Sequence, residues 1–377
     1  MSWPIRKISD VCDVIPGFAF KSEYLGEEGI PVIKIGNITE SHAVNIDAVQ
    51  RFPDNLVSEK HKKFNLRNGD MLIAMTGATA GKVGRIRCAD DQLLLLNQRV
   101  AKFNPKAIDP DFFWFTISTN RYRTVFYGLG GGAAQPNMSS AQIESVEISC
   151  PPSDTQQRIA SILSAYDDLI ENNRRRIQLL EQAARLLYKE WFVHLRFHGH
   201  EHVKIKGGVP EGWEKKTLGE FAPLKYGKAL KEDDRIPGPY PVYGSSGIVG
   251  KHDKALVAGP SIIVGRKGNV GSVYWAASDF HPIDTVYFIE AENCSLYLYY
   301  ALLHMQFIST DVAVPGLNRD YAHSRMLLVP DGKIFTLFEQ HAGIMQDQIK
   351  RLTKYNQSLT QARDLLLPRL MNGELVA

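Results

Sequence analysis

From Asp154 to Trp191 the chain has no Gly or Pro, and Ile159, Tyr166, Asn173, Leu180 and Leu187 recur every seven residues. That spacing predicts one long helix with a narrow stripe on one side, capped by Asp154. At about 1.5 Å per residue such a helix runs roughly 55 Å, too long for a small globular core. Ile162, Leu169 and Ala183 supply a second row to the stripe, and Arg176 interrupts it. A two-row seam of this length calls for another helix as its partner. The same ladder returns as Phe338, Met345, Leu352, Leu359 and Leu366, each 179 positions after its counterpart. Tyr355 and Ala362 fall in the second row of that copy, and Pro368, lacking an N–H, is expected to end it. Matched register in the two copies implies an internal duplication. Asn173 and Arg176 are placed to fix register by demanding polar partners.

A chain of 377 residues exceeds one ordinary core, so two or more domains are expected. Its net charge of +3 allows a nucleic-acid partner without requiring one, because the distribution of charge decides. Cys12, Cys88, Cys150 and Cys294 are far apart and form no CxxC, which argues against zinc or a disulfide framework and fits a reducing cytosol. No apolar run reaches the roughly 18 residues needed to span a membrane. MSWPIRKISD also lacks the apolar core of a secretory signal. The expectation is a soluble cytoplasmic protein with no membrane partner.

Residues 1–152 form the first expected domain. Short strand-like runs at Ile30–Ile38, Asp70–Met75, Lys82–Cys88 and Gln98–Asn104 alternate with turn signals, as in a mainly β structure. The aromatic segment Asp111–Tyr127 reads as one helix packed on the sheet. A Gly-rich loop, Gly128–Ser140, and a strand, Ser145–Cys150, lead to the first long helix (153–195). Residues 196–212 have linker composition. A shortened copy then begins: Trp213 echoes Trp3, Gly259–Val273 echoes Gly69–Ile86, Ser295–Phe307 replaces the aromatic helix, and Val314–Ser324 parallels the Gly-rich loop. The second domain is therefore 213–330 and the second helical segment 331–377.

Gly77–Gly84 suggests a phosphate-binding loop, but Thr76 stands where a P-loop needs its first Gly, and Val83 where it needs Ser or Thr. Phe126–Gly130 matches the short FxGxG pattern of S-adenosylmethionine-dependent methyltransferases. It follows an expected helix rather than a strand, and Cys150-Pro-Pro-Ser153 lacks the amide and aromatic ring that hold a flipped adenine. His194, His198, His200 and His202 beside Glu201 read as a solvated tract rather than a metal site. No metal or catalytic constellation is expected. What remains is a scatter of basic, amide and aromatic residues suited to nucleic acid. In the first domain these are Lys34, Asn37, Thr76, Thr79, Lys82, Arg85, Gln98, Arg99 and Gln135. In the second they are Lys228, Tyr243, Ser245, Ser246, Arg266, Lys267, Asn269, Asn318, Arg319 and Tyr321. Arg and Lys can bond guanine edges, Asn and Gln can bond adenine, and others touch phosphates.

Three features together resemble the specificity subunit of Type I restriction-modification systems: the helix from Pro151 to Phe192, the terminal LLLPRLMNGEL and the repeated domain-plus-helix order. GDMLIAMTGATAGKVGRI, LLNQRVAKF and GGAAQPNMS are similar to the framework of that family's target recognition domains. The resemblance covers essentially the whole chain. One departure is that the second helix follows a DGK turn and lacks the Pro-Pro step of the first. The resemblance implies an α+β fold: two β-rich target recognition domains joined by two long helices packed as an antiparallel coiled coil, with pseudo-two-fold internal repetition. It implies a non-catalytic subunit with no cofactor of its own. Each domain reads one half of a bipartite target in double-stranded DNA, and the helices set the spacing and dock two modification (methyltransferase) subunits. S-adenosylmethionine, ATP and Mg would belong to those subunits and to motor–nuclease restriction subunits. The remaining alternatives are a stand-alone DNA adenine methyltransferase, a non-DNA coiled-coil scaffold, and a Type IIB-like system.

Overall fold

The computed structural model describes residues 3–47, 49–130, 137–309 and 316–375. The chain divides into two compact units, one made of residues 1–171 and 356–377, the other of residues 172–355. The division cuts both long helices, so each unit owns a β-rich domain and a stretch of each helix.

In the first unit the strands are β1 (Ile5–Lys7), β2 (Cys12–Pro16), β3 (Ile30–Ile33), β4 (Arg51–Phe52) and β5 (Asn65–Leu66). They continue as β6 (Met71–Ala74), β7 (Val83–Arg85), β8 (Leu94–Leu96), β9 (Val100–Pro105) and β10 (Glu147–Ser149). One antiparallel sheet runs β2-β9-β6-β7. A second runs β4-β3-β8-β5, with β3 and β8 parallel. β1 pairs with β10 and thereby closes the domain at its ends. Helices α1 (Ile8–Val11), α2 (Pro110–Ile117), α3 (Asn120–Leu129) and α4 (Ser140–Glu144) complete it. The aromatic segment is thus two helices rather than one. The break falls where Ser118 and Thr119 turn their hydroxyls back to the carbonyls of Phe115 and Thr116 and compete with the helical ladder. Asp109 caps α2 through the N–H of Phe112, and Phe112, Phe113 and Ile117 are wholly buried against the sheet.

The long helix α5 (Ser153–Tyr188) begins one residue before the expected cap. In its first turn the N–H groups of Thr155 and Gln156 donate to the Pro152 carbonyl, and Asp154 lies inside that turn. A π-helical turn, Lys189–Val193, extends it. Residues 196–212 are not a loose linker. Phe197 is buried 4.7 Å from the Trp213 ring, and β11 (Ile205–Lys206) pairs with β12 (Val209–Pro210).

The second unit repeats the plan with β13 (Glu214–Thr217), β14 (Lys225–Tyr226), β15 (Tyr240–Gly244), β16 (Gly247–His252) and β17 (Ser261–Gly265). It ends with β18 (Val273–Ala276), β19 (His281–Pro282), β20 (Val286–Ile289) and β21 (Met326–Val329). Its antiparallel sheet runs β14-β20-β17-β18, strand for strand the order of the first. Its other sheet runs β16-β15-β19, again with one parallel pair, β15 with β19. β13 pairs with β21 as β1 does with β10. Helices α6 (Leu218–Phe221), α7 (Leu296–Met305) and α8 (Arg319–His323) precede the second long helix, α9 (Gly332–Met371).

The seam differs from the expected one in its second row. Ile159, Asn173, Phe338 and Leu359 are buried, while Tyr166, Leu180, Leu187, Met345, Leu352 and Leu366 are half-buried. The second row, however, lies four residues after the first instead of three. Leu163, Ile170 and Ala184 are buried and Ile177 half-buried, whereas Ile162 and Leu169 are 38% and 45% exposed and Arg176 and Ala183 face outward. On α9 the corresponding row is Ala342, Ile349, Asn356, Arg363 and Leu370; Tyr355 is exposed and Ala362 half-buried. The polar elements of the seam include Arg363, whose Nη1 lies 2.6 Å from Asp167 Oδ1, and Asn356, which donates to the Ile170 carbonyl at 3.1 Å. These two contacts pair rising numbers on α5 with falling numbers on α9, so in the first unit the helices are antiparallel. Pro368 does not end α9, which runs on to Met371. Only one N–H is lost there, and Leu366, Leu367, Leu370 and Met371 all pack on the first unit's core.

Candidate nucleic-acid interface

In the first unit most of the sequence-selected cations are already engaged. Lys82 Nζ lies 2.7 Å from Glu40 Oε1, and Arg123 holds the other oxygen of the same carboxylate. Arg85 lies 2.6 Å from Asp111 and donates Nε–H to the Gly69 carbonyl. Lys82 and Arg85 are only 16% and 17% exposed, so the β6–β7 connection is an internally neutralised turn. The hydrogen bonds from Arg123 and Lys82 hold the Glu40 carboxyl at about 2, far below the usual carboxylate range. A depressed carboxylate stabilises the fold above its unfolded value near 4.5, and that contribution disappears as pH falls through 2. Glu40→Gln is therefore expected to lower the melting temperature at pH 7, with the deficit shrinking to nothing between pH 4.5 and 2. A deficit that stays constant on acidification counts against the triad.

Asn37 accepts from the Lys34 N–H at 2.8 Å and so closes a 3₁₀ turn, while Lys34 Nζ bonds Gln50. Thr76 and Thr79 bond within their own turn. Gln98 and Arg99 occupy the exposed β8–β9 turn, with Arg99 reaching Asn137 at 3.4 Å. Gln135 lies outside the described residues. The pattern reading passed over a second basic site. Lys62, Lys63, Arg67 and Lys102, with Asn65 and Asp70, line an open cavity of about 400 Å³. Its signal was the run EKHKKF, a 3₁₀ helix whose charges stand on one connection.

In the second unit Tyr243 is a core residue, packed on Phe280 with ring centroids 5.5 Å apart, and burial raises its phenol. The Ser245 carbonyl accepts from Ser272 and Tyr274, and its hydroxyl accepts from the Asn269 N–H. Asn318 caps α8 by accepting from the Asp320 and Tyr321 N–H groups. Lys228, Ser246 and Lys267 are exposed, and Arg325 lies over the Tyr321 ring. Arg266 and Arg319 converge on one side chain that sequence reasoning missed, Tyr226. No periodicity could reveal that meeting, because the three residues come from segments 40 and 53 positions apart. A larger cavity, about 460 Å³, opens between Tyr274, Trp275, Tyr299 and Tyr300 and the α5 residues Glu181 and Arg185.

Phe126 is wholly buried on α3, so Phe126–Gly130 is a helix C-terminus packed on the sheet rather than a loop after a strand. Among the described residues no three or more His, Cys, Asp or Glu side chains are grouped to hold a metal ion, and no helix is long and apolar enough to cross a membrane.

The profile of the family described as Type I restriction modification DNA specificity domain matches residues 2–182 and 210–318, once in each half of the repeat. The chain belongs to that family. It is 25% identical to the Type I restriction enzyme MjaIX specificity subunit of Methanocaldococcus jannaschii, over 99% of this chain and 93% of that one. It is 23% identical to the HindI specificity subunit of Haemophilus influenzae, over 76% of this chain and 82% of that one. The crystal structure of a Type I restriction-modification system S subunit from M. genitalium superimposes over 98% of this chain and 96% of that chain. Its TM-score is 0.57 at 19% identity, a likeness of fold.

Proposed function

We propose that this chain is the DNA-recognition subunit of a Type I restriction-modification complex. Each β-rich domain reads one half of a bipartite target in double-stranded DNA. The two long helices set the spacing and dock two modification subunits, which carry S-adenosylmethionine and the methyl transfer. Motor–nuclease subunits using ATP and Mg join for restriction, and the chain itself is non-catalytic and works in the cytoplasm. The observation that carries this reading is the family match falling twice, on two domains with the same four-strand order. One half of a split target per domain is what such a repeat can deliver.

The test is long-read mapping of methylated bases in cells co-expressing this chain with its modification subunit. One split motif is expected, lost when the chain is omitted. Exchange of residues 213–330 for the corresponding domain of a relative should change one half of the motif and leave the other. A motif that survives without the chain, or changes in both halves after the exchange, overturns the reading.

A further inference from the structure

We infer that Tyr226, Arg266 and Arg319 form a guanine-reading clamp, so that the half-target read by the second unit contains a G·C pair contacted through guanine; this rests on the function proposed above. Tyr226 ends β14, Arg266 directly follows β17, and Arg319 opens α8. The guanidinium carbons lie 4.9 Å and 5.0 Å from the centroid of the Tyr226 ring, which is 47% exposed. The backbone holds these segments together. The Arg266 N–H donates to the Thr285 carbonyl at 2.9 Å, and the Arg266 carbonyl accepts from the Leu317 N–H at 2.8 Å. Beneath them Tyr287 donates its hydroxyl to the Leu317 carbonyl at 2.8 Å and lies 5.9 Å from the Arg266 guanidinium.

The charges here are not spent as they are in the first unit. Among the described residues Arg266 has no carboxylate within ion-pair distance; its Nη1 bonds the Asp284 carbonyl. Among the described residues the one carboxylate within ion-pair distance of Arg319 is Asp320, 3.9 Å from Nε, and that buried Nε has no hydrogen-bond partner there. Two like charges drawn to one ring repel each other, and an acceptor-rich partner would relieve that repulsion. The guanine edge in the major groove presents two adjacent acceptors, O6 and N7, and the arginine fork matches them in a bidentate pair. Both guanidiniums lie over the Tyr226 ring, and the Asp284 carbonyl holds Arg266 there as well. A bidentate base contact needs a fork held in place, whereas a phosphate accepts a cation from many directions.

The duplication provides an internal control. The backbone contacts of Arg266 are reproduced by Met75, which donates to the Arg99 carbonyl and accepts from the Met138 N–H. By the same register Arg319 corresponds to Ser140, and Tyr226, paired with Tyr287, corresponds to Pro16, paired with Ala101. The first unit therefore carries Pro16, Met75 and Ser140 where the second carries the clamp, and only the second half-target is assigned its guanine this way.

The experiment is methylation mapping of the chain co-expressed with its modification subunit, with the 213–330 exchange identifying the half read by the second unit. Arg319→Ala and Arg266→Ala are expected to relax one G·C position in that half, lowering discrimination there by about 10- to 100-fold, while the other half stays unchanged. Arg319→Lys keeps the charge and removes the fork, and should relax the same position. Uniform loss of methylation with an unaltered motif, or full activity of Arg319→Lys, assigns the arginines to phosphate and overturns the clamp. So does a second half-target with no G·C pair. If the wild-type complex marks no split motif, the proposed function fails first; if it marks one that the clamp variants leave intact, only the clamp fails.

Discussion

Phe338→Ala is expected to destabilise the second unit by about 3–5 kcal/mol, the usual cost of emptying a buried phenylalanine site. Phe338 has no exposed surface and stands where three elements meet. Its ring lies 5.0 Å from Phe192 and 6.0 Å from Trp191 at the end of the first long helix, and 6.3 Å from Tyr300 on α7. These neighbours are large and locked against one another, Phe192 on Tyr297 at 4.9 Å and Trp213 at 5.7 Å, so the cavity cannot close by small shifts. Urea unfolding followed by tryptophan fluorescence measures the loss, since Trp191 and Trp213 sit in this cluster. A loss below about 1 kcal/mol would mean that the cluster relaxes and that the aromatic junction is not what holds α9 to its domain.

The helices were legible because their signal is periodic, and Phe338 was visible as a member of the ladder. The second row was misplaced by one residue for a physical reason. Ile162 and Leu163, and again Leu169 and Ile170, are adjacent apolar pairs, so hydrophobicity alone cannot say which member faces the partner. Arg176 was the deciding residue. A seam three residues on would bury its charge, while a seam four residues on uses Ile177 and leaves Arg176 in water, as the fold does. The strand runs were legible too, since alternation and turn residues are local. What no local pattern could supply was the pairing of charges. Glu40 meets Lys82 and Arg123 across 42 and 83 positions, and that contact alone separates an engaged lysine from one free to meet DNA. The same blindness hid Tyr226, an unremarkable tyrosine until the fold brings two arginines to its ring. Family resemblance reached the architecture because the framework segments carry it.

The second large effect is expected from two glycines that the duplication places in matching positions. Gly17 follows β2 and donates its N–H to the Val100 carbonyl; Gly227 follows β14 and donates to the Val286 carbonyl. A Cβ on Gly17 would stand 2.1 Å from the Asn97 carbonyl oxygen, and one on Gly227 would stand 2.1 Å from that of Ile283. Both obstacles are backbone, so no rotamer change relieves them and a strand connection must move. Gly17→Ala and Gly227→Ala should each cost at least about 1–3 kcal/mol, the range of core overpacking. Their consequences for recognition should differ. Gly227 adjoins Tyr226, so its substitution should degrade reading of the second half-target at stabilities where the protein is still folded. Gly17 adjoins Pro16, which has no part in a clamp, and its substitution should act through stability of the first unit. Melting curves combined with methylation mapping separate the two effects. If either alanine is accommodated within about 0.5 kcal/mol, the close approach of the two segments is an incidental fit and not a requirement of the repeated domain.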